Sequence, residues 1–241
     1  NMLWNSDYIP NLYSIKEDDI WYKIRKVDKD RQPFHERKDF FHVPFDMRGM
    51  IGNNRYSISG YPCLYLGKSI YTCWEEMRRP KLAEMSAIAF KVKKTLKLLD
   101  MRLLQRIDSG DKEMYNIRLL PYILASSIKV HEEGAAFKPE YIIPQLILHS
   151  VIKNNAYDGV IFTSTRRYMQ CNKSNIGIYD NLAIPVMSNK STGYCQELAS
   201  HFFASMPAYY EYEYLKGLIH CNSPINGGQK YKDTVFYSLE E

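Results

Sequence analysis

No run of about 18 apolar residues occurs in this chain, so no helical membrane span is expected. No Cys-x-x-Cys pair and no Cys/His cluster with metal-ligand spacing is present, so no metal site is expected. The five cysteines, Cys63, Cys73, Cys171, Cys195 and Cys221, are odd in number and irregularly spaced. A disulfide framework is therefore not expected, and the reading is a reducing, cytoplasmic setting with buried free thiols. A secretory signal is also lacking. The chain opens on Asn1 without a tail signal at Glu241, and it is expected to be a trimmed piece of something longer. Internal repeats and low-complexity tracts are absent. Lys and Arg are scattered rather than massed, so the net charge of +5 makes no nucleic-acid stripe. It does suit a polyanionic small molecule.

What is there suffices for a core. The 241 residues are 45% hydrophobic and include 20 tyrosines, enough for one large domain or a domain with an appendage. Strands are expected over Asp19–Lys26, Cys63–Leu66, Met85–Val92, Leu96–Asp100, Val160–Phe162 and Asn175–Tyr179. The close spacing of the third and fourth suggests a sheet growing by hairpins. Helices are expected over Asn116–Val130 with Pro121 near the start, over Pro139–Ile152 with Pro144 in the first turns, over Gln196–Ala204 and over Tyr209–Ile219. Residues 28–39 read as a charged loop and 222–229 as a Pro/Gly-rich one. The division is an irregular or docking segment 1–18, a main domain 19–186 and a helical C-terminal appendage 187–241.

One stretch organises the rest: Asn54 to Met77, which reads as arginine, turn, strand and helix. Gly60 and Pro62 mark the turn, Ser69 caps the helix and Pro80 ends it. Ile70, Cys73, Trp74 and Met77 form one core-facing stripe. At about 100° per residue, Glu76 falls on the flank of that stripe and Glu75 nearly opposite it, toward water. Taken singly, each residue has a plain structural reading: the glutamates as solvated helix carboxylates, Arg55 as a surface ion-pair partner, Tyr65 as core, Ser164 as a turn residue. His42 and His149 read as structural histidines.

Jointly, the residues resemble the RES-domain proteins, which include toxins of RES–Xre toxin–antitoxin pairs. The resemblance rests on Arg55-Tyr56 through Gly60-Tyr61-Pro62 to Leu64-Tyr65-Leu66, on Ser69, Thr72, Cys73 and Glu76, and on Asp158-Gly159-Val160-Ile161-Phe162-Thr163-Ser164. A weaker block, Tyr22-Lys23-Ile24-Arg25, resembles the family's opening Tyr-Arg-x-Arg, with Lys23 in place of the first arginine. Thr163 stands where many members have proline.

The resemblance implies an α+β fold similar to ADP-ribosyltransferases: a mixed, mainly antiparallel β core flanked by helices, with NAD in a central cleft. It implies cleavage of the nicotinamide–ribose bond of NAD, as a phosphorylase using inorganic phosphate or as a glycohydrolase. It also implies a toxin or defence effector that depletes bacterial NAD, with a cognate protein antitoxin; a homo-oligomer is compatible with it. Glu76 would face the cation that develops on the ribose, since a fixed carboxylate stabilises such a charge. Arg55 and Arg25 would hold phosphate through guanidinium forks. Tyr56 and Tyr65 would line the pocket, and Ser164 would hydrogen-bond the ribose or amide. The rival readings are a mono-ADP-ribosyltransferase acting on a macromolecule and a non-catalytic nucleic-acid or protein interaction domain. Nucleic acid and membrane are not expected partners.

Overall fold

The computed structural model describes residues 12–27, 34–102, 110–166, 177–209 and 230–241, with side chains of the helix that begins at Gly110 from Arg118 onward. Residues 1–11 of the expected irregular or docking segment 1–18, the loop residues 28–33, residues 210–219 of the helix expected over Tyr209–Ile219 and the loop 222–229 lie outside the described residues, as do 175 and 176; residues 12–15 of the first segment form a strand rather than irregular chain.

Short apolar runs make the strands, some alternating and some, such as those at 159–163 and 180–185, buried almost throughout. They are β1 (Leu12–Ile15), β2 (Ile20–Lys26), β3 (Cys63–Gly67), β4 (Met85–Val92), β5 (Leu96–Asp100), β6 (Gly159–Thr163), β7 (Asp180–Pro185), β8 (Phe202–Ala204) and β9 (Ala208–Tyr209). They form one sheet in the order β1-β5-β6-β7-β3-β2-β4-β8, with β9 also on β4. All pairings are antiparallel except β5 with β6. The helices are α1 (Ile70–Glu76), α2 (Gly110–Ser126), α3 (Ile142–Lys153), α4 (Gln196–Ala199) and α5 (Val235–Ser238). The architecture is α+β, largely antiparallel, with helices flanking the sheet.

Several local expectations need correction. β4 and β5 do not pair with each other. The Asp158 backbone N–H donates to the Lys97 carbonyl (2.6 Å), and the Asp158 carboxylate accepts from the Lys97 N–H (2.7 Å). These bonds fasten β5 beside β6 instead. Pro121 lies inside α2, not near its start. Leu119 and Ile123 bury against Leu148 and Val151 of α3, and that packing outweighs the lost backbone bond. Gly177–Tyr179 is a turn, and the strand there is β7. The expected helix Gln196–Ala204 stops at Ala199. Phe202 then buries edge-on against Phe90 (5.8 Å) while Phe203 faces out, which is strand alternation. The C-terminal residues are thus fastened to the sheet through β8 and β9, and α5 packs on α1.

The two faces of the sheet differ. On one, Leu64, Leu66, Ile88, Phe90, Leu98, Ile161, Leu182 and Ile184 make a continuous core with Phe40, Phe45 and Leu198. The other face carries two separate helical clusters. Ile70, Tyr71, Cys73 and Trp74 pack with Val235 and Phe236 in one, and Tyr56, Leu119, Ile123 and Leu148 pack with Val160 and Phe162 in the other. A cleft lies between them.

The cleft also splits the sheet. β2 and β3 pair only at Tyr22 and Gly67. Continued register would set Lys23 opposite Leu66 and Ile24 opposite Tyr65. The strands part instead, and those four residues line the cleft. Gly67 sits at the fork, where an added Cβ would come within 2.7 Å of Cys73 Sγ. Glycine is needed there by close approach.

Candidate active site

The cleft holds about 880 Å³, within the range of small-molecule and cofactor sites. α1 forms one wall. Its seven residues are too few to be stable alone, and tertiary contacts hold it. Ser69 Oγ caps it by accepting from the Thr72 N–H (3.0 Å) and donates to the Ile178 carbonyl (2.8 Å). The Thr72 hydroxyl also donates to that carbonyl. The Ser69 and Thr72 positions thus tie α1 to the turn that leads into β7.

Glu76, the last residue of α1, reaches the cleft. Its Oε1 accepts from Ser164 Oγ (2.7 Å) and from Asn181 Nδ2 (2.9 Å). Its Oε2 lies 3.6 Å from Arg166 Nε. Ser164 is buried just past the end of β6. Its N–H donates to the Tyr179 carbonyl (2.8 Å), and its Oγ accepts from the Arg166 N–H (3.1 Å). The carboxylate is therefore fixed on one oxygen by two neutral donors, while its side chain keeps 37% exposure to the cleft.

Glu75 differs from the expectation. It is 4% exposed, not turned to water. Tyr71 Oη donates to one of its oxygens (2.7 Å) and Arg79 Nε to the other (2.9 Å). The cause is α5: its Phe236 packs not only on Trp74 of the stripe (4.9 Å) but also on Tyr71 (5.0 Å), which lies outside the stripe toward Glu75, so that side of α1 is covered as well. A periodicity argument assumes one buried face, and α1 has two.

Arg55 stands on the other helical wall. Gln145 of α3 pins its loop by donating to the carbonyls of Asn54 (3.0 Å) and Ser57 (3.1 Å). The guanidinium is buried. Nη1 donates to the Ser126 carbonyl (2.7 Å), Nη2 donates to Thr165 Oγ1 (3.2 Å), and the Tyr141 ring lies 5.2 Å away. Among the described residues no carboxylate pairs with it. A buried cation without a counter-ion is costly, and an anionic ligand would offset that cost.

The remaining candidates divide. Tyr65 lines the cleft, and burial holds its phenol well above the ordinary range. Tyr56 does not line it. Its ring is fully buried 4.5 Å from Phe162, and burial pushes its hydroxyl up to about 12. Arg25 does not reach the cleft either. Its Nη1 donates to the Asp39 carbonyl (2.7 Å) and its guanidinium covers the Phe34 ring (4.1 Å). Lys23, two residues earlier, does line the cleft. Burial and the neighbouring Arg25 charge push its ammonium down to about 8. Asn181, Arg166, Thr165, Tyr141 and Glu133 were not foreseen. Asn181 had a signal: an amide directly before the apolar run Leu182–Val186. Neither His42 nor His149 lines the cleft. His42 is buried, with Nε2 accepting from the Cys195 N–H (2.9 Å).

Among the described residues, no group of three or more His, Cys, Asp or Glu could hold a metal ion, and no helix is long and apolar enough to cross a membrane.

A family model described as the RES domain matches residues 27–194. The chain belongs to the RES-domain family. It is 34% identical over 217 residues to "Putative toxin YopC" of Bacillus subtilis (strain 168), covering 83% of this chain and 49% of that protein. The chain thus spans about half the length of this curated relative. The crystal structure of the M. tuberculosis MbcT–MbcA toxin–antitoxin complex contains a chain similar to this one with a TM-score of 0.43 and 12% identity, over 81% of this RES chain and 85% of that one.

Proposed function

We propose that this RES chain cleaves the nicotinamide–ribose bond of NAD, with phosphate or water as acceptor, and that it acts as a cytoplasmic toxin restrained by a protein antitoxin. One observation carries the reading. A carboxylate held by Ser164 and Asn181 and a buried guanidinium with no acid partner among the described residues line one cleft. Membership of a family that includes toxins supports the biological role, and the name of the Bacillus relative agrees with it.

The chemistry follows from the charges. The C1′–N bond breaks with its electron pair passing to the pyridinium ring, so nicotinamide leaves neutral and needs no strong general acid. Positive charge develops on the ribose, and Glu76 stabilises it. An oxygen of phosphate or water then bonds to C1′, and in the case of water a proton passes to solvent, giving ADP-ribose 1-phosphate or ADP-ribose. One carboxylate suffices, unlike the pair in most glycosidases. Arg55 takes a phosphate group of the substrate through its fork, and Tyr65 offers a ring face.

The test is to incubate the folded chain with NAD, with and without phosphate, and identify the products. Free nicotinamide with ADP-ribose or its 1-phosphate is expected. NAD left intact under both conditions refutes the reading, and ADP-ribose attached to protein or nucleic acid would assign the chain to macromolecular modification instead.

A further inference from the structure

Beside Glu76 a second anion site is built from two arginines on different walls, and a side chain of this protein occupies it. Glu133 lies in the segment joining α2 to the turn before α3. Its Oε1 accepts from Arg166 Nη2 (2.7 Å) and its Oε2 from Arg78 Nη2 (2.8 Å). Arg78 follows α1 with a left-handed backbone (φ 64°), as does Arg79 (φ 57°). Two successive non-glycine residues in that region are strained, and the conformation brings Arg78 to the rim. Arg166 belongs to the turn that Ser164 Oγ organises, and its Nε lies 3.6 Å from Glu76. Two guanidiniums that bracket one carboxylate from opposite sides present the donors that a phosphate group accepts.

We infer that Arg78 and Arg166 form a phosphate clamp, and that Glu133 is its built-in competitor. Magnitudes favour displacement. All three side chains are substantially exposed: 64% for Arg78, 32% for Arg166 and 41% for Glu133. Exposed pairs are weak, so an entering phosphate, with more charge and more acceptor oxygens than a carboxylate, wins the arginines. Lys129 and Lys138, from the same segment as Glu133, also line the cleft, and among the described residues neither has an acid partner. Removing Glu133 from the clamp therefore leaves the segment attractive to the ligand. Arg166 Nε also lies 3.6 Å from the Glu76 oxygen that Ser164 and Asn181 leave open, so a phosphate in the clamp lies beside the carboxylate assigned to the reaction.

The inference rests on the NAD-cleaving reading, and two phosphate sources fit it: the pyrophosphate of the dinucleotide and an inorganic phosphate acceptor. Initial rates of the full chain are measured against NAD at fixed phosphate, and against phosphate at fixed NAD, for Glu133→Gln, Arg166→Gln and the double variant. Glu133→Gln should lower the KM of one substrate several-fold, with kcat moving less. Arg166→Gln should raise the same KM about tenfold, a loss typical of one charge-assisted contact. Adding Glu133→Gln to Arg166→Gln should then change little, because the competitor has lost its target. The substrate whose KM moves identifies the source. Thermal stabilisation by ADP-ribose and by phosphate, at matched ionic strength, follows the same variants without turnover. A chain that leaves NAD intact yet shows the variant pattern in stabilisation keeps the clamp and loses the reaction. Measured cleavage with both KM values within twofold of the parent in all variants overturns the clamp.

Discussion

Glu75 and Glu76 are adjacent and chemically identical, and the structure predicts opposite consequences for losing them. Glu75→Ala removes an acceptor that is 4% exposed and leaves the Tyr71 hydroxyl and Arg79 Nε without it. Charge-assisted bonds of this kind contribute about 1.5–3 kcal/mol each. Part of Arg79 reaches solvent, so a total of about 3 kcal/mol is expected. At about 2–4 °C per kcal/mol for a chain of this size, Tm should fall by about 6–12 °C. Glu76→Ala also removes two hydrogen bonds, but at a carboxylate whose side chain is 37% exposed to the cleft. Water replaces the acceptor, and the cost should stay near 1 kcal/mol. Turnover should respond in reverse. Removing one preorganised charge-stabilising group costs about 100- to 1000-fold in kcat. Glu76→Ala should reach that range, while folded Glu75→Ala should stay within tenfold of the parent. The assay is nicotinamide release alongside calorimetric Tm for both variants. If Glu75→Ala loses turnover while folded and Glu76→Ala retains it, the assignment of the carboxylate is wrong.

Three further outcomes follow from particular contacts. Gly67→Ala places a Cβ 2.7 Å from Cys73 Sγ, and overpacking at the strand fork should cost about 1–3 kcal/mol in urea unfolding; a Gly67→Ala/Cys73→Ala double variant should recover part of it, and full additivity would refute the collision. Arg25→Met loses the bond to the Asp39 carbonyl and the contact with Phe34, so stability should fall by about 1 kcal/mol while the KM for NAD stays within twofold; a tenfold rise in KM would return Arg25 to the binding site. Glu240 accepts from the Ile70 N–H at the start of α1 (2.7 Å), and burial raises its carboxyl from 4.5 to about 7. The folded chain then holds this proton more tightly than the unfolded chain, so the contribution is full below about pH 4.5 and is lost as pH rises through 7. Glu240→Gln cannot titrate, and its Tm relative to the parent should rise by the equivalent of about 2 kcal/mol between pH 4.5 and 8, allowing for solvent screening; a difference independent of pH would refute the shift.

Much of the site was legible because its residues lie close together in sequence or on one strand. The Ser69 cap, the strand at Cys63–Leu66 and the core strand that delivers Ser164 depend on local propensity and on short apolar runs, and both survive folding. Gly159 was legible as part of a turn, but its necessity was not: a Cβ there would meet the Ala183 carbonyl at 2.6 Å, a contact with a strand more than twenty residues away. Arg25 and Lys23 show the limit most directly. They lie on the same side of β2, and alternation treats them alike. Lys23 reaches the cleft because β2 and β3 part beside it, whereas Arg25 turns to Asp39 and Phe34.

By itself the amino-acid order determined the strands β2 to β6, the helix α3 and where α1 begins, and the resemblance it carries singled out Arg55, Glu76 and Ser164 as the candidate site. Only the tertiary structure decided what surrounds them. It buried Glu75 by laying α5 across α1, and it took Tyr56 into the core. It brought Asn181 and Arg166 to Glu76 and set Glu133 between two arginines. Each of these depends on a contact between residues far apart in the chain, and backbone periodicity carries information only about neighbours.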